Sequence, residues 1–485
     1  MEQKRNNVQH KDLREWLKAV EALGELKVIE GASYDEDIGA IVAMLSPSNS
    51  SPAVLFDNIK GYPRGYRVLG NSLNSYSRIA LTLGLPLELK PFELSGRLLG
   101  LIENLKLIPP VLVEKGPVME NILMGKDVNV LKFPTPKWHE DDGGRYIGTG
   151  TYDILKDPDS NWVNLGTYRV MLFEEPDRVG FYITPGKHGY IIRQKYFSRN
   201  KPCPVAAVVG GDPLLFLATS TEIPFGVCEY DWAGGLRGRP YEVFEGKITG
   251  LPLPADAEII LEGFSPPHVK HPEGPFGEWP GYYGGGIEEE PVIEVRAIYH
   301  RNDPIILGMP PQRPPDEQAR FRAIFRSALL KKELESAGVP GVVECWCHEV
   351  GGTRLLLAVS IKQSYLGQAR QVGHVASQCR TGAYAGRYVV VVDDDIDVTD
   401  LNEVIWAMCT RSDPETSIDI IKRAWSSRID PMISPEDRAK SKFCNSRAII
   451  DATRPWEWKD AFPKVNAPSR ELLAKTKEKW GFLLK

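Results

Sequence analysis

The sequence lacks any apolar stretch that approaches the roughly 20 consecutive residues of a membrane helix. Its first residues, MEQKRNNVQHKDLREW, carry charge but no apolar core, so they do not resemble a secretory signal. Cysteine is also scarce, because the 485 residues include only 7, an odd number. A disulfide framework is therefore not expected, and we predict a cytoplasmic protein that does not enter a membrane.

A strong net charge is missing as well. Lys and Arg total 59, Asp and Glu total 64, and the formal net charge is −5. Such a chain lacks the basic surface that a polyanionic partner needs, so nucleic acid is not an expected partner. The hydrophobic fraction of 42% and the charged fraction of 25% are ordinary for a globular protein. The length exceeds the size at which one hydrophobic core stops growing, which predicts two or three domains.

The pattern of apolar residues divides the chain into three parts. Residues 1–110 alternate helix and strand patterns, such as a helix over residues 12–23, and predict an α/β domain. Residues 111–315 contain short β-rich runs separated by Gly and Pro turns, which is typical of an antiparallel barrel or sandwich. Residues 316–485 again alternate strand, loop and helix, indicating parallel βαβ packing, and end in a charged helix.

One segment of the predicted barrel carries two carboxylates five residues apart. It reads Glu273-Gly-Pro-Phe-Gly-Glu278-Trp-Pro-Gly-Tyr-Tyr-Gly-Gly-Gly286. Close carboxylates in a partly apolar pocket push their pKa values apart, so that one holds a proton near neutral pH, as an acid catalyst requires. The spacing is equally compatible with two surface carboxylates on a Gly/Pro loop.

A second segment places an arginine in an apolar strand pattern. In Asn161-Trp-Val-Asn164-Leu-Gly-Thr-Tyr-Arg169, strand alternation predicts Thr167 and Arg169 on one face and Tyr168 on the other. A buried guanidinium needs an anion, because burying it unpaired is very costly. A structural salt bridge and a substrate carboxylate both meet that need.

Two further segments contain residues that suit a divalent cation. His188 lies in Pro185-Gly-Lys187-His188, and Glu229 follows Thr221-Glu-Ile-Pro-Phe-Gly-Val-Cys. An imidazole and a carboxylate that share an ion with an amide oxygen suit Mn or Mg better than Zn. The alternative is a histidine that is simply hydrogen-bonded.

The order of these segments resembles the UbiD decarboxylase family, which includes ferulic acid, hydroxybenzoate and pyrrole carboxylate decarboxylases. The resemblance rests on Asn-x4-Arg, Pro-x-x-His, Ile-Pro-x-Gly-Val-x-Glu and Glu-Gly-Pro-Phe-Gly-Glu-x-x-Gly-Tyr, in that order. It extends to Asp142-Gly-Gly-Arg-Tyr146 and to Val392-Asp-Asp-Asp-Ile-Asp397, and it covers about residues 10–485.

The resemblance implies an N-terminal α/β domain, a central split β-barrel that binds flavin and a C-terminal α/β oligomerisation domain. It implies prenylated FMN held through Mn²⁺ (or another divalent ion) beside K⁺, with a flavin prenyltransferase as supplier. The expected reaction is reversible decarboxylation of an aromatic, heteroaromatic or α,β-unsaturated acid. A homodimer or higher homo-oligomer is expected, with the active site between the barrel and the C-terminal domain.

The resemblance also assigns roles to residues of this sequence. Glu278 matches the acid that returns a proton after CO₂ leaves, and Arg169 and Glu273 match its supporting ion network. The implied metal ligands are Asn164, His188 and Glu229, and the implied cofactor contacts are Asn164, Thr167, Tyr168, Arg169, Lys187, His188 and Glu229.

Three alternatives stay open at this stage: a carboxylase, a CoA-ester decarboxylase on the same fold, and a non-catalytic flavin-binding subunit of a larger complex. The presence of Arg169, Glu273 and Glu278 together disfavours the non-catalytic subunit, because a binding module needs no neutral acid.

Overall fold

The computed structural model describes residues 8–221 and 223–484. Helix α1 illustrates how the sequence sets local structure, because the side chain of Asp12 caps it by accepting a hydrogen bond from the backbone N–H of Glu15. The N-terminal elements are α1 (Leu13–Ala22), β1 (Leu26–Glu30), α2 (Asp37–Leu45), β2 (Ala53–Asp57), β3 (Arg67–Gly70), α3 (Tyr76–Leu83) and α4 (Pro91–Glu103).

The middle of the chain is rich in short strands, as its Gly- and Pro-punctuated pattern predicts. Its elements are β4 (Val111–Leu112), β5 (Asn121–Met124), β6 (Arg145–Gly148), β7 (Thr151–Lys156), β8 (Val163–Gly166), β9 (Val170–Leu172), β10 (Arg178–Gly180), α5 (His188–Phe197), β11 (Cys203–Val209), α6 (Pro213–Thr219), α7 (Glu229–Arg237), β12 (Glu242–Glu245), β13 (Pro252–Pro254), β14 (Ile259–Ser265), β15 (Lys270–Glu273), β16 (Glu288–His300) and β17 (Ile305–Leu307).

The last third alternates helices and strands. Its elements are α8 (Glu317–Ser336), β18 (Val342–Cys347), β19 (Leu356–Ile361), α9 (Gln368–Gln378), α10 (Arg380–Ala383), β20 (Tyr388–Asp393), α11 (Leu401–Arg411), β21 (Ile418–Trp425), α12 (Pro435–Ala439), β22 (Cys444–Ala452) and α13 (Arg470–Trp480). Short 3-10 helices occur at Pro117–Glu120, Gly125–Asp127, Val130–Lys132, Glu349–Gly351, Trp456–Ala461 and Gly481–Leu484.

Strands of the central region form a ten-stranded sheet that curls into a half-barrel. The strand order is β6-β9-β10-β16-β14-β11-β7-β8, and β5 and β15 also pair with β16. Strand β11 shows why this sheet is buried on both faces: Val205, Ala207 and Val209 join one hydrophobic cluster, and Ala206 and Val208 join another. Small and β-branched side chains on both faces of one strand favour a sheet covered on both sides.

The flanking sheets are mixed. The N-terminal sheet has the order β1-β2-β3-β17, so a strand from residues 305–307, beyond the half-barrel, completes it through parallel pairing with β3. The C-terminal sheet has the order β18-β19-β20-β22-β21, and β19, β20 and β22 are parallel neighbours. A small sheet with the order β13-β12-β4 completes the structure. The predicted fold class, α/β domains around a split barrel, is confirmed.

One local prediction was wrong. The strand expected to run through Thr167, Tyr168 and Arg169 is interrupted, because β8 ends at Gly166 and β9 begins at Val170. Arg169 forms an isolated antiparallel β-bridge with Tyr182. The ring of Tyr168 packs against Gly166, where an added Cβ would lie 2.3 Å from the phenol oxygen. The chain turns at this point.

The described part of the chain contains neither a membrane-spanning helix nor a disulfide bond. Among its helices, none has the length and apolar character to cross a membrane. All seven cysteines lie within it, and all are free thiols.

Candidate active site

The structure brings Arg169, Glu273 and Glu278 into one ion network. The guanidinium donates from Nε to Glu273 Oε1 and from Nη2 to Glu273 Oε2, both at 2.7 Å. Its Nη1 donates to Glu278 Oε1 at 3.0 Å. The side chains of Glu273 and Glu278 are 3% and 19% exposed. One carboxylate is therefore held by a paired fork and the other by a single bond.

Each member of this network comes from a different local structure. Arg169 lies between β8 and β9, where its backbone exchanges two hydrogen bonds with Tyr182. Glu273 is the last residue of β15 and pairs with Glu288, the first residue of β16. The residues between these strands, 274–287, form what we call the acid loop, and Glu278 lies on it. The antiparallel strands fix both ends of this loop.

Aromatic rings surround the guanidinium. Its carbon Cζ lies 4.4 Å from the ring centroid of Tyr182, 5.0 Å from that of Phe276 and 5.9 Å from that of Tyr146. Aromatic faces attract a cation, and they also keep water away from it. Sequence reasoning missed Tyr146 and Tyr182 as parts of the site, although Tyr146 closes the Asp142-Gly-Gly-Arg-Tyr146 segment.

The electrostatics separate the two carboxyl groups. Burial raises the pKa of Glu278, Arg169 lowers it, Glu273 raises it, and the result lies above the usual value. Burial alone would lower the pKa of Arg169, but the two carboxylates raise it above its ordinary value, so the guanidinium stays charged. A raised pKa of Glu278 beside the Arg169–Glu273 ion pair is the direction of shift that an acid catalyst requires.

The acid loop also contacts the C-terminal domain. Gly352 has a φ of +58°, and a Cβ there would lie 2.4 Å from the Trp279 ring. The guanidinium of Arg354 lies 5.9 Å from the centroid of the same ring. Gly284 packs against Ile429. Glu278 therefore lies where the half-barrel meets the C-terminal domain.

A second group of predicted site residues meets about Glu229. This buried carboxylate accepts hydrogen bonds from Asn164 Nδ2 at 2.9 Å and from the backbone N–H of Leu165 at 2.7 Å. The Tyr168 hydroxyl donates to Asn164 Oδ1 at 3.2 Å and accepts from the backbone N–H of Gly189 at 2.9 Å. The structure thus brings together Asn164, Tyr168 and Glu229.

The remaining predicted residues lie at the edge of this group. His188 is the first residue of α5, and its ring centroid lies 5.3 Å from those of Trp162 and Phe225. Lys187 precedes it and is exposed, and Thr167 is half-buried between β8 and β9. Gly189, next to His188, links this helix start to Tyr168 and so to Asn164.

The donors around Glu229 match a divalent cation in type. Burial raises the pKa of Glu229 to about 8. A carboxylate, an amide oxygen and an imidazole suit Mn²⁺ or Mg²⁺. Over the same residues, no three His, Cys, Asp or Glu side chains group as a metal site, so the amide of Asn164 would be needed as a ligand.

Comparison with known families covers most of the chain. Residues 17–98, 111–314 and 320–452 match the N-terminal, Rift-related and C-terminal domains of 3-octaprenyl-4-hydroxybenzoate carboxy-lyase, UbiD. The pyrrole-2-carboxylic acid decarboxylase of Pseudomonas aeruginosa is 31% identical over 463 residues, 92% of each chain. The phenolic acid decarboxylase of Sedimentibacter hydroxybenzoicus is 32% identical over 465 residues, again 92% of each chain.

Solved structures agree with this assignment. Vanillic acid decarboxylase of Sedimentibacter hydroxybenzoicus in open form has a TM-score of 0.85 at 29% identity, over 98% of this chain and 100% of that one. The UbiD-class enzyme HmfF from Pelotomaculum thermopropionicum, in complex with FMN, has a TM-score of 0.84 at 30% identity, over 96% and 99%. An evolved dimeric form of HmfF, in complex with prFMN, has a TM-score of 0.80 at 29% identity, over 95% and 97%.

The resemblance that the motifs predict is thereby confirmed over 92% of the length of both curated relatives. The chain belongs to the UbiD family and is a carboxy-lyase.

Proposed function

We propose that this protein catalyses the reversible, non-oxidative decarboxylation of an aromatic, heteroaromatic or α,β-unsaturated carboxylic acid with prenylated FMN as cofactor. The observation that carries the proposal is the unequal binding of two carboxylates by Arg169, two bonds to Glu273 and one to Glu278, with the pKa of Glu278 raised. Such an arrangement supplies a fixed positive charge and a neutral acid at one place.

The substrate class and the cofactor follow from the relatives. Two relatives are named for the decarboxylation of pyrrole-2-carboxylic and phenolic acids. Solved HmfF structures are complexes with FMN and with prFMN. When bound, the prenylated flavin supplies the electron sink that departure of CO₂ from an sp² carbon requires.

The protein's own residues have separate tasks in this reaction. Arg169 attracts the substrate carboxylate, and the rings of Tyr182 and Phe276 exclude water from its guanidinium. Glu273 accepts two charge-assisted hydrogen bonds from Arg169 and so fixes the orientation of the guanidinium. Glu278 holds a proton and delivers it to the substrate carbon after the carbon–carbon bond breaks.

Asn164, His188 and Glu229 are the residues that would hold a divalent cation, and through it the cofactor phosphate. The fit rests on Glu229, whose raised pKa reflects a buried carboxylate that a cation would keep ionised. Thr167, Tyr168 and Lys187 border the same region. Mn²⁺, K⁺, a flavin prenyltransferase as supplier and a homo-oligomeric state are parts of the same proposal.

The proposal is tested on protein co-expressed with a flavin prenyltransferase. Bound cofactor is measured by absorbance and mass, and CO₂ release is measured on a panel that begins with pyrrole-2-carboxylic and vanillic acids. We expect Glu278→Gln to lower turnover at least about 100-fold with cofactor content unchanged, because a general acid contributes that much. Glu289→Gln, an exposed carboxylate in β16, is the matched control.

The outcomes separate the alternatives. Equal loss of turnover in Glu278→Gln and Glu289→Gln would contradict the role of Glu278. Bound flavin without turnover of any free acid would favour a CoA ester, carboxylation or a missing second subunit. Protein that binds Mn²⁺ but no flavin would overturn the cofactor assignment.

A further inference from the structure

A buried carboxylate outside the Arg169 network lies directly behind the acid loop. Asp142 precedes β6, and its side chain is 0% exposed. Its Oδ2 accepts a hydrogen bond from the backbone N–H of His139 at 3.0 Å and lies 3.2 Å from His139 Nδ1. A buried carboxylate is costly unless hydrogen bonds satisfy it, so this geometry calls for an explanation.

The other oxygen of Asp142 binds the acid loop at two points. Oδ1 accepts from the backbone N–H of Gly277 at 3.4 Å and from the Tyr283 hydroxyl at 3.2 Å. Gly277 immediately precedes Glu278, and Tyr283 follows it by five residues. One atom of Asp142 therefore ties both sides of the turn that carries the proton donor.

The turn itself is closed by its own backbone. The N–H of Glu278 donates to Tyr282 O at 3.0 Å, and the N–H of Gly281 donates to Glu278 O at 2.8 Å. A further bond joins Gly143 N–H to Pro275 O at 2.7 Å. A Cβ at Gly143 would lie 1.9 Å from the carbonyl oxygen of Gly274. The two segments thus approach each other as closely as glycine allows.

The second ring nitrogen of His139 extends the contact. Nε2 lies 3.1 Å from Gln312 Oε1, in the segment before α8. Burial alone would lower the pKa of His139, but the bonds to Asp142 and Gln312 raise it. An imidazole whose two nitrogens both face oxygen acceptors is favoured as the imidazolium, which balances the charge of Asp142.

We propose that Asp142 is a positioning residue for Glu278: by holding Gly277 and Tyr283 it keeps the Glu278 carboxyl within hydrogen-bond distance of Arg169 and of the substrate carbon. Arg169 alone does not fix Glu278, because it gives that side chain one bond at 3.0 Å and gives Glu273 two at 2.7 Å. The inference rests on the proposed function, since it needs Glu278 to be the proton donor.

The reaction offers a readout that a general loss of structure does not produce. The substrate C–CO₂ bond breaks first, CO₂ is released and the electron pair of that bond stays with the substrate. The new C–H bond then forms with this pair as the O–H bond of Glu278 breaks, which leaves Glu278 as a carboxylate. When proton delivery is slowed, CO₂ returns to the substrate more often before the product forms. The ratio of ¹³CO₂ exchange into the substrate carboxyl to net turnover therefore rises.

The experiment compares flavin-loaded Asp142→Ala, Asp142→Asn, Tyr283→Phe and Glu278→Gln. We expect Asp142→Ala to lower net turnover about 100-fold, as displacement of a reacting group by about 1 Å does, and to raise the exchange ratio with flavin content unchanged. The net turnover and the exchange ratio of Asp142→Asn should lie between those of Asp142→Ala and wild type. The net turnover of Tyr283→Phe should fall roughly two- to tenfold, which corresponds to the net free energy of one hydrogen bond. Asp141→Asn, an exposed neighbour of the same charge, should behave as wild type.

Parallel loss of exchange and turnover in the Asp142 variants, or loss of bound flavin, would overturn the inference and mark Asp142 as structural. If Asp142→Ala does not fold, Asp142→Asn and Tyr283→Phe decide the question by the same ratio. A raised ratio in Glu278→Gln without one in these variants refutes this inference alone. An unchanged ratio in Glu278→Gln refutes both the inference and the role proposed for Glu278.

Discussion

At the scale of single residues, the site is organised by how Arg169 divides its five N–H groups. One positive charge faces two carboxylates, so the three groups together favour one bound proton. Glu273 accepts two of the guanidinium's hydrogen bonds and is 3% exposed. Glu278, with one bond, is the member at which the proton is favoured. The same geometry predicts that Arg169 contributes to stability as well as to the proposed reaction.

The expected effect on stability follows from the buried ion pair. In Arg169→Met, Glu273 and Glu278 lose their counter-charge, so the free energy of unfolding at neutral pH should fall by about 3 kcal/mol. The double variant Arg169→Met/Glu273→Gln should recover part of this loss, because a neutral amide then replaces the more deeply buried of the two carboxylates. Urea denaturation monitored by fluorescence measures both values.

A control for this pair exists on the surface. Arg296 and Glu294 form an ion pair whose side chains are 52% and 25% exposed, so Arg296→Met should change the free energy of unfolding by less than about 1 kcal/mol. Equal stability of Arg169→Met and the double variant would show that the buried pair does not carry the predicted charge balance.

At the scale of elements, the acid loop depends on two supports. Its ends are fixed by the pairing of β15 with β16, and its middle packs on Gly352 and Ile429 of the C-terminal domain. Local sequence predicts the loop from its glycines and prolines. It does not predict the surface on which the loop rests, because those contacts join residues about 70 or more positions apart in the chain.

Gly352 provides a test of this contact. Gly352→Ala should reduce stability by about 2–4 kcal/mol, since the new Cβ adds a clash with Trp279 to the strain of a positive φ. Turnover should fall as well, because the Trp279 side of the acid loop must move. Thermal unfolding and steady-state kinetics measure the two effects.

Gly338 is the matched comparison, because it has a φ of +76° and nothing within 4 Å of its added Cβ. The stability of Gly338→Ala should fall only by the backbone strain, about 1–2 kcal/mol, and its turnover should be unchanged. If the two alanine variants behave alike, the contact between Gly352 and Trp279 does not position the loop.

At the scale of the whole molecule, the edge strand β21 exposes two large apolar side chains, whereas the edge strand β1 of the N-terminal sheet exposes one, Val28. Strand β21 is an edge of the C-terminal sheet, and its Ile420 and Trp425 are 57% and 62% exposed. An open edge with apolar residues favours pairing with another copy. The proposed homo-oligomer therefore has a candidate interface at β21.

We expect Ile420→Lys to weaken self-association at least about tenfold, because a lysine replaces an apolar side chain that an interface would bury. Sedimentation velocity over a range of protein concentrations measures the association. Val28→Lys, at a residue with the same 57% exposure on the edge strand β1 of the N-terminal sheet, should leave it unchanged. Equal effects of the two lysines would contradict the assignment of the interface to β21.

The sequence by itself determined many of the local elements and the family. Helix α1 begins after Asp12 and buries Leu13, Trp16, Leu17 and Val20, as its 3.6-residue pattern predicts. The motifs around Arg169, Glu273 and Glu278 identified the family, because several spaced residue types in a fixed order rarely coincide by chance. Cofactor, metal ions and cytoplasmic location remain predictions.

Tertiary structure determined the contacts that local sequence patterns do not encode. The strand predicted through Thr167 and Tyr168 is broken between Gly166 and Val170, where the Tyr168 ring packs on Gly166 and Gly189, a contact that alternation does not encode. Asp142 lies behind the acid loop because two segments 135 residues apart in the chain contact each other. Periodicity reports how a residue relates to its neighbours in the chain, whereas hydrogen bonds, burial and pKa shifts depend on which distant segments fold together.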